Sequence, residues 1–173
     1  MRNVLIVILI FALFGFTLFK SEDTQNEYIR IHIQSASISE KDEEMKFIVK
    51  EKVSSLLSKL LVNVQSKNEV KRLLKEQLHS IKKSIDILLI ESGVDYLCEL
   101  NLSNEYFPTR SYEGYVVESG FYDALTIKLG EGKGDNWWCV IYPPLCLLDD
   151  SGVFSSRLKG IIENFFNKRG NEI

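Results

Sequence analysis

The period of the apolar residues changes three times along this chain, and each change limits what the segment can become. Residues 28–34, YIRIHIQ, alternate strictly, with Ile29, Ile31 and Ile33 on one side and Tyr28, Arg30, His32 and Gln34 on the other. That pattern predicts a strand with one buried face and one polar face. From Asp42 to about Val64 the spacing becomes helical, through Met45, Val49, Val53, Leu56, Leu57, Leu60, Leu61 and Val64, and Ser39 with Asp42 marks the start. Ser66 followed by Glu69 opens a second helix as a capping box, and Val70, Leu73, Leu74, Leu78, Ile81, Ile85, Leu88 and Leu89 continue it until Gly93 stops it. The two predict an antiparallel helix pair on a sheet.

After Gly93 the period returns to two. Val94, Tyr96, Cys98, Leu100 and Leu102 share a face, as do Leu125, Ile127 and Leu129, and YEGYVV between them predicts a further strand. NWWCVIY is apolar on both sides and reads as a central strand, or as one whose second face a partner covers. Phe154 to about Lys168 carries an apolar stripe and predicts a closing helix. The fold class is therefore α+β: an N-terminal strand, an antiparallel helix pair, an antiparallel sheet of about four to five strands, and a C-terminal helix.

Residues 4–19 form an uninterrupted apolar run behind Arg2, the pattern of a signal peptide or signal anchor over residues 1–20. Sixteen residues of helix span about 24 Å, less than the hydrocarbon core of a bilayer. Glu22, Asp23 and Glu27 follow the run, so residues 21–173 are expected as a single domain on the far side of the membrane. Without the leader the chain has 19 basic against 24 acidic side chains, a balance unsuited to holding nucleic acid.

The segment GEGKGDNWWCVIYPPLC, Gly130 to Cys146, holds both tryptophans, two of the three cysteines and two of the three prolines. It is not a phosphate loop: Lys133 is followed by Gly134 where that loop needs Ser or Thr, and strand-like WWCVIY follows where a helix must begin. GEGKG is expected instead as a hairpin connection. The two histidines, His32 and His79, have no metal-ligand spacing around them, and G-x-S-x-G is absent. No catalytic, metal or cofactor residues are assigned, and the chain is read as a non-enzyme. Cys139 and Cys146 either pair as a disulfide, with Pro143 and Pro144 turning the chain between them, or pack reduced; Cys98 falls on an apolar strand face.

IRIHIQSAS, EEMKFIVKEKV and YFPTRSYEGYVVESGFYDALTIKLGEGKGDNWWCVIYPPLCLLD together resemble the stage II sporulation protein R family of endospore-forming Firmicutes, over nearly all of the chain beyond the leader. GEGKG, NWWCV and PPLC in that order carry the resemblance, supported by FPT-x-x-Y at Phe107, Pro108, Thr109 and Tyr112. The family's Asn-Ser-Asp-type stretch after the first strand is replaced by Gln34-Ser35-Ala36-Ser37, so a role for that Asn and Asp does not carry over. The resemblance implies a signalling protein made in the forespore and exported into the intermembrane space. There it would activate a membrane-embedded aspartic protease that processes pro-sigma-E. An exported cell-wall hydrolase and a membrane-anchored structural protein are the alternatives. Membrane contact is expected through residues 4–19. Expected partner contacts are Lys133, Trp137, Trp138, Pro143, Pro144, Phe107 and Tyr115, with one tryptophan in the core and the other available, since strand alternation separates them.

Overall fold

A computed structural model describes residues 27–112, 115–146, 159–165 and 167. The leader and residues 154–158, 166 and 168 of the expected Phe154–Lys168 helix lie outside these residues; 159–165 and 167 are helical.

The predicted alternation at the start of the domain forms β1 (Ile29–Gln34). Two helices follow, α1 (Glu40–Leu61) and α2 (Lys67–Glu91). The Ser39 hydroxyl accepts the Asp42 N–H at 3.2 Å, and Glu40, Asp42 and Glu43 place negative charge on the first turn, where the helix dipole favours it. Ser66 caps α2 in the same way by accepting the Glu69 N–H, while the Glu69 carboxylate reaches back to the Gln65 N–H at 3.0 Å. Gly93, at φ 70°, ends α2 because that left-handed conformation disfavours any side chain with a Cβ.

The remaining strands are β2 (Cys98–Phe107), β3 (Arg110–Tyr112), β4 (Tyr115–Val117), β5 (Gly120–Leu129) and β6 (Asn136–Tyr142). Four of them form one sheet in the order β2-β5-β1-β6, and β3 pairs with β4 as a separate hairpin. β1 runs parallel to β5 and antiparallel to β6, so the sheet is mixed and not the antiparallel run expected from sequence. This changes two other readings. NWWCVIY is an edge strand, and its apolar character on both sides reflects cover on both faces of the sheet. GEGKG is not a hairpin connection, because β1 lies between β5 and β6; the segment crosses the end of β1 instead.

On the helix side, Ile29, Ile31 and Ile33 meet Val49, Val53, Leu57, Leu74, Ile81, Ile85 and Leu89 in the main core. The other side, expected to be polar, holds a second core of Tyr28, Phe107, Val117, Tyr122, Ala124 and Val140 beneath the β3–β4 hairpin and Phe165. Arg30 is wholly buried there.

Candidate functional site

The segment Gly130–Asp135 is held to the chain that follows β1. Lys133 N–H donates to Ala36 O, Gly134 N–H to Ser35 O, and Ser35 N–H to Asp135 O, at 3.0–3.2 Å. Beneath this crossing, Lys46 is only 3 % exposed, and its ammonium donates to Glu43 at 2.5 Å and to Asp135 O at 3.2 Å. Glu43 also accepts from the Ser35 hydroxyl and from Asp135 N–H. Hydrogen bonds from Lys46 and then Ser35 hold the Glu43 carboxyl below its ordinary range, more than burial raises it. A Cβ on Gly134 would lie 2.1 Å from both Ser35 Oγ and Ser37 O, so that glycine is required by close approach of two backbones. Gly132, at φ 61°, serves the turn. Lys133 itself stays exposed and pairs with Glu131 at 2.5 Å.

This crossing delivers β6 in fixed register, with His32 opposite Trp138 and Ile33 opposite Trp137. The tryptophans take opposite faces, but each is half-buried, so the division into one core and one available ring is not what occurs. Trp137 packs on the main core, with Lys50 5.8 Å above its ring. Trp138 stacks on His32 at 3.8 Å between ring centres and meets Phe107 edge to face at 4.8 Å. The His32 ring is tied on both sides, with Nδ1 3.2 Å from Glu105 and Nε2 2.7 Å from Asn136 Oδ1. A ring so tied orients Trp138 and Asn136; it does not present a free nitrogen for proton transfer.

Behind this platform the four quoted residues of FPT-x-x-Y fold around and beside Arg30. Its guanidinium lies 4.4 Å from the Phe107 ring centre and donates to Tyr112 Oη at 2.8 Å and to Pro108 O at 3.5 Å. Thr109 Oγ1 closes the hairpin base by accepting Ser119 N–H and donating to Glu118. Burial pushes the Arg30 pKa down and that of Tyr112 up, while the charge on Arg30 draws Tyr112 the other way. Tyr112 Oη in turn donates to Trp138 O at 3.3 Å, which covers part of the outer edge of β6.

Phe107 is therefore core, with no exposed surface, and Pro143 and Pro144 are also buried; these three shape the surface and do not form it. Tyr115 stands opposite Tyr112 in the hairpin. The Tyr142–Pro143 bond is cis, and Cys139 and Cys146 are joined as a disulfide with Cα atoms 6.2 Å apart. Cys146 N–H donates to Val140 O, covering more of the β6 edge. Cys98 is free and buried; desolvation first, then Asp86, pushes its thiol up to about 12.

Sequence reasoning missed Arg30, Ser35 and Lys46. The available signal for Arg30 was the clustering of Phe107, Tyr112 and Tyr122 near turn residues, rings whose faces can hold a cation. Among the described residues no group of three or more His, Cys, Asp or Glu is arranged to hold a metal, and no helix is long and apolar enough to cross a membrane.

The family model described as stage II sporulation protein R matches residues 25–152. A curated relative, "Stage II sporulation protein R" of Bacillus subtilis (strain 168), is 32% identical over 126 residues, covering 73% of this chain and 56% of the relative. The match thus spans little more than half of that relative. No solved structure matches. The crossing, the tryptophan pair and the FPT-x-x-Y hairpin all fall within the matched residues, and the chain belongs to the stage II sporulation protein R family.

Proposed function

We propose that this chain is an exported sporulation signal that activates a membrane-embedded protease, which then processes pro-sigma-E. Family membership carries the reading. The apolar run at residues 4–19 supports export from the forespore into the intermembrane space, with the domain released or held by that run. The function is binding and not catalysis. His32 is tied at both ring nitrogens, Cys98 is buried, and Arg30 serves the core, while His79 stands exposed on α2.

The contact surface is the β6 side of the crossing. Lys133 on the crossing and Asn136 at the start of β6 are exposed, and the half-buried Trp138 stacks on His32, which also holds Asn136. A rigid, partly exposed tryptophan with polar neighbours has the make-up of an interface anchor. The test is co-production of the full chain with the protease and the sigma precursor in a non-sporulating host. Shortening of the precursor that depends on the chain supports the proposal; an unprocessed precursor beside folded, exported chain contradicts it.

A further inference from the structure

We propose that the end of the sheet where β1 begins is a membrane-facing surface, with Tyr106 and Phe121 entering the lipid interface. The two rings stand opposite each other across β2 and β5, edge to face at 5.6 Å. They are 56 % and 62 % exposed, among the largest apolar side chains left open to solvent. An in-register aromatic pair on adjacent strands stabilises a sheet through contact of its own rings, which does not require both to stand open to solvent.

Their exposure follows from the architecture. Phe121 lies on the helix side of β5, in phase with Asp123 and Leu125. Leu125 is core; Asp123, two residues nearer the end, meets Lys67 and Lys71 on the first turns of α2, at 2.9 and 3.0 Å. α2 begins there, so the next pair outward, Tyr106 and Phe121, projects past the helix layer. A mixed aromatic pair with lysines at its base has the composition of a membrane-interface belt, where rings sit at headgroup level and ammonium groups reach the phosphates.

The course of the chain supplies the occupant. β1 is parallel to β5, with Ile29 opposite Asp123, so the chain enters the domain at this same end. Between the apolar run ending at Phe19 and the start of β1 lie residues 20–28, which reach at most about 30 Å when fully extended. A bilayer that holds the run therefore lies within reach of this end, while the Gly130–Asp135 crossing, with Lys133, is at the opposite end of the strands. The inference rests on reading residues 4–19 as a membrane segment. It adds an orientation: aromatic pair toward the lipid, crossing and Trp138 side away from it.

Site-directed spin labelling tests this, because Cys98 is buried and Cys139 and Cys146 are paired, leaving an introduced thiol as the reactive one. The full chain carrying Phe121→Cys, Tyr106→Cys or Glu131→Cys is labelled and studied with and without vesicles of phosphatidylcholine and phosphatidylglycerol. The expected result is that vesicles abolish collision of a polar nickel reagent with labels at 121 and 106 and leave the label at 131 unchanged. Nickel access at 121 and 106 that persists when alkaline carbonate fails to extract the chain overturns the inference while sparing the membrane segment. A carbonate-released chain whose 121 and 106 labels are still shielded by vesicles supports the lipid surface and contradicts the segment. Release with open labels overturns both. Shielding at 121 and 106 without vesicles identifies a second copy of the chain as the occupant and overturns the proposal.

Discussion

The Arg30 guanidinium lies 4.4 Å from the centre of the Phe107 ring, and its hydrogen bonds go to Tyr112 and Pro108 and not to a carboxylate. A fully buried cation held by aromatic faces and oxygen dipoles ties the hairpin to the sheet from below. Arg30→Ala removes the cation–π contact and the hydrogen bond that Tyr112 Oη accepts, leaves a cavity, and should cost about 3 kcal/mol or more. Urea unfolding measures it. An unchanged midpoint would show that the hairpin is held by other contacts.

Gly134 and Gly93 separate two reasons for a glycine. Gly134→Ala meets Ser35 Oγ and Ser37 O at 2.1 Å, whereas a Cβ at Gly93 meets nothing within 4 Å and suffers only from φ 70°. Overpacking at Gly134 should cost about 2–3 kcal/mol, against about 1 kcal/mol for Gly93→Ala. Thermal unfolding of the two variants gives the order; equal losses would mean that the crossing yields easily.

The Cys139–Cys146 bridge closes a short loop with a sequence separation of 7. In the chain-entropy treatment its reduction lowers stability by about 2 kcal/mol. Alkylation of the native, unreduced protein followed by mass spectrometry should find no labelled cysteine, and after denaturation one, Cys98. Two or three labelled thiols in the denatured, unreduced protein would remove the bridge from the account.

Asp42 and Glu43 have folded-state pKa values held down, by hydrogen bonds from Ser37 and Tyr96 for the first and from Lys46 and Ser35 for the second. A depressed carboxylate contributes stability that is fully present above its unfolded value, near pH 4, and is lost as pH falls through the lower folded value. The domain should therefore lose stability below about pH 4, and Glu43→Gln should flatten that loss while lowering stability at neutral pH. An acid profile identical in the variant would place the sensitivity in other groups.

Much of this was readable from sequence at the level of single elements. Ser39 and Ser66 start their helices as expected, and alternation correctly sends Trp137 and Trp138 to opposite faces. What alternation cannot encode is which strand lies beside which. Ile29–Gln34 pairs with residues more than ninety positions away on both sides, and inserting it between β5 and β6 turned the expected hairpin into a crossing and the expected central strand into an edge. The period of β1 also gave its polar face but not the cover that makes Arg30 a core residue. That cover comes from the hairpin, whose own sequence shows only turns and aromatics.

The central claim is that the crossing side of this domain activates a protease. Lys133 is the cleanest probe, since its side chain is exposed and its ion pair is with the equally exposed Glu131 alone among the described pairs. The measurement is the fraction of sigma precursor converted when the protease is co-produced with the full chain or with Lys133→Glu at matched levels, read beside the unfolding midpoint of each. The account predicts conversion by the unaltered chain, and a loss of about tenfold, corresponding to ~1.4 kcal/mol of binding, with the midpoint of the variant unchanged. No conversion by the unaltered chain, or equal conversion by both, would contradict it.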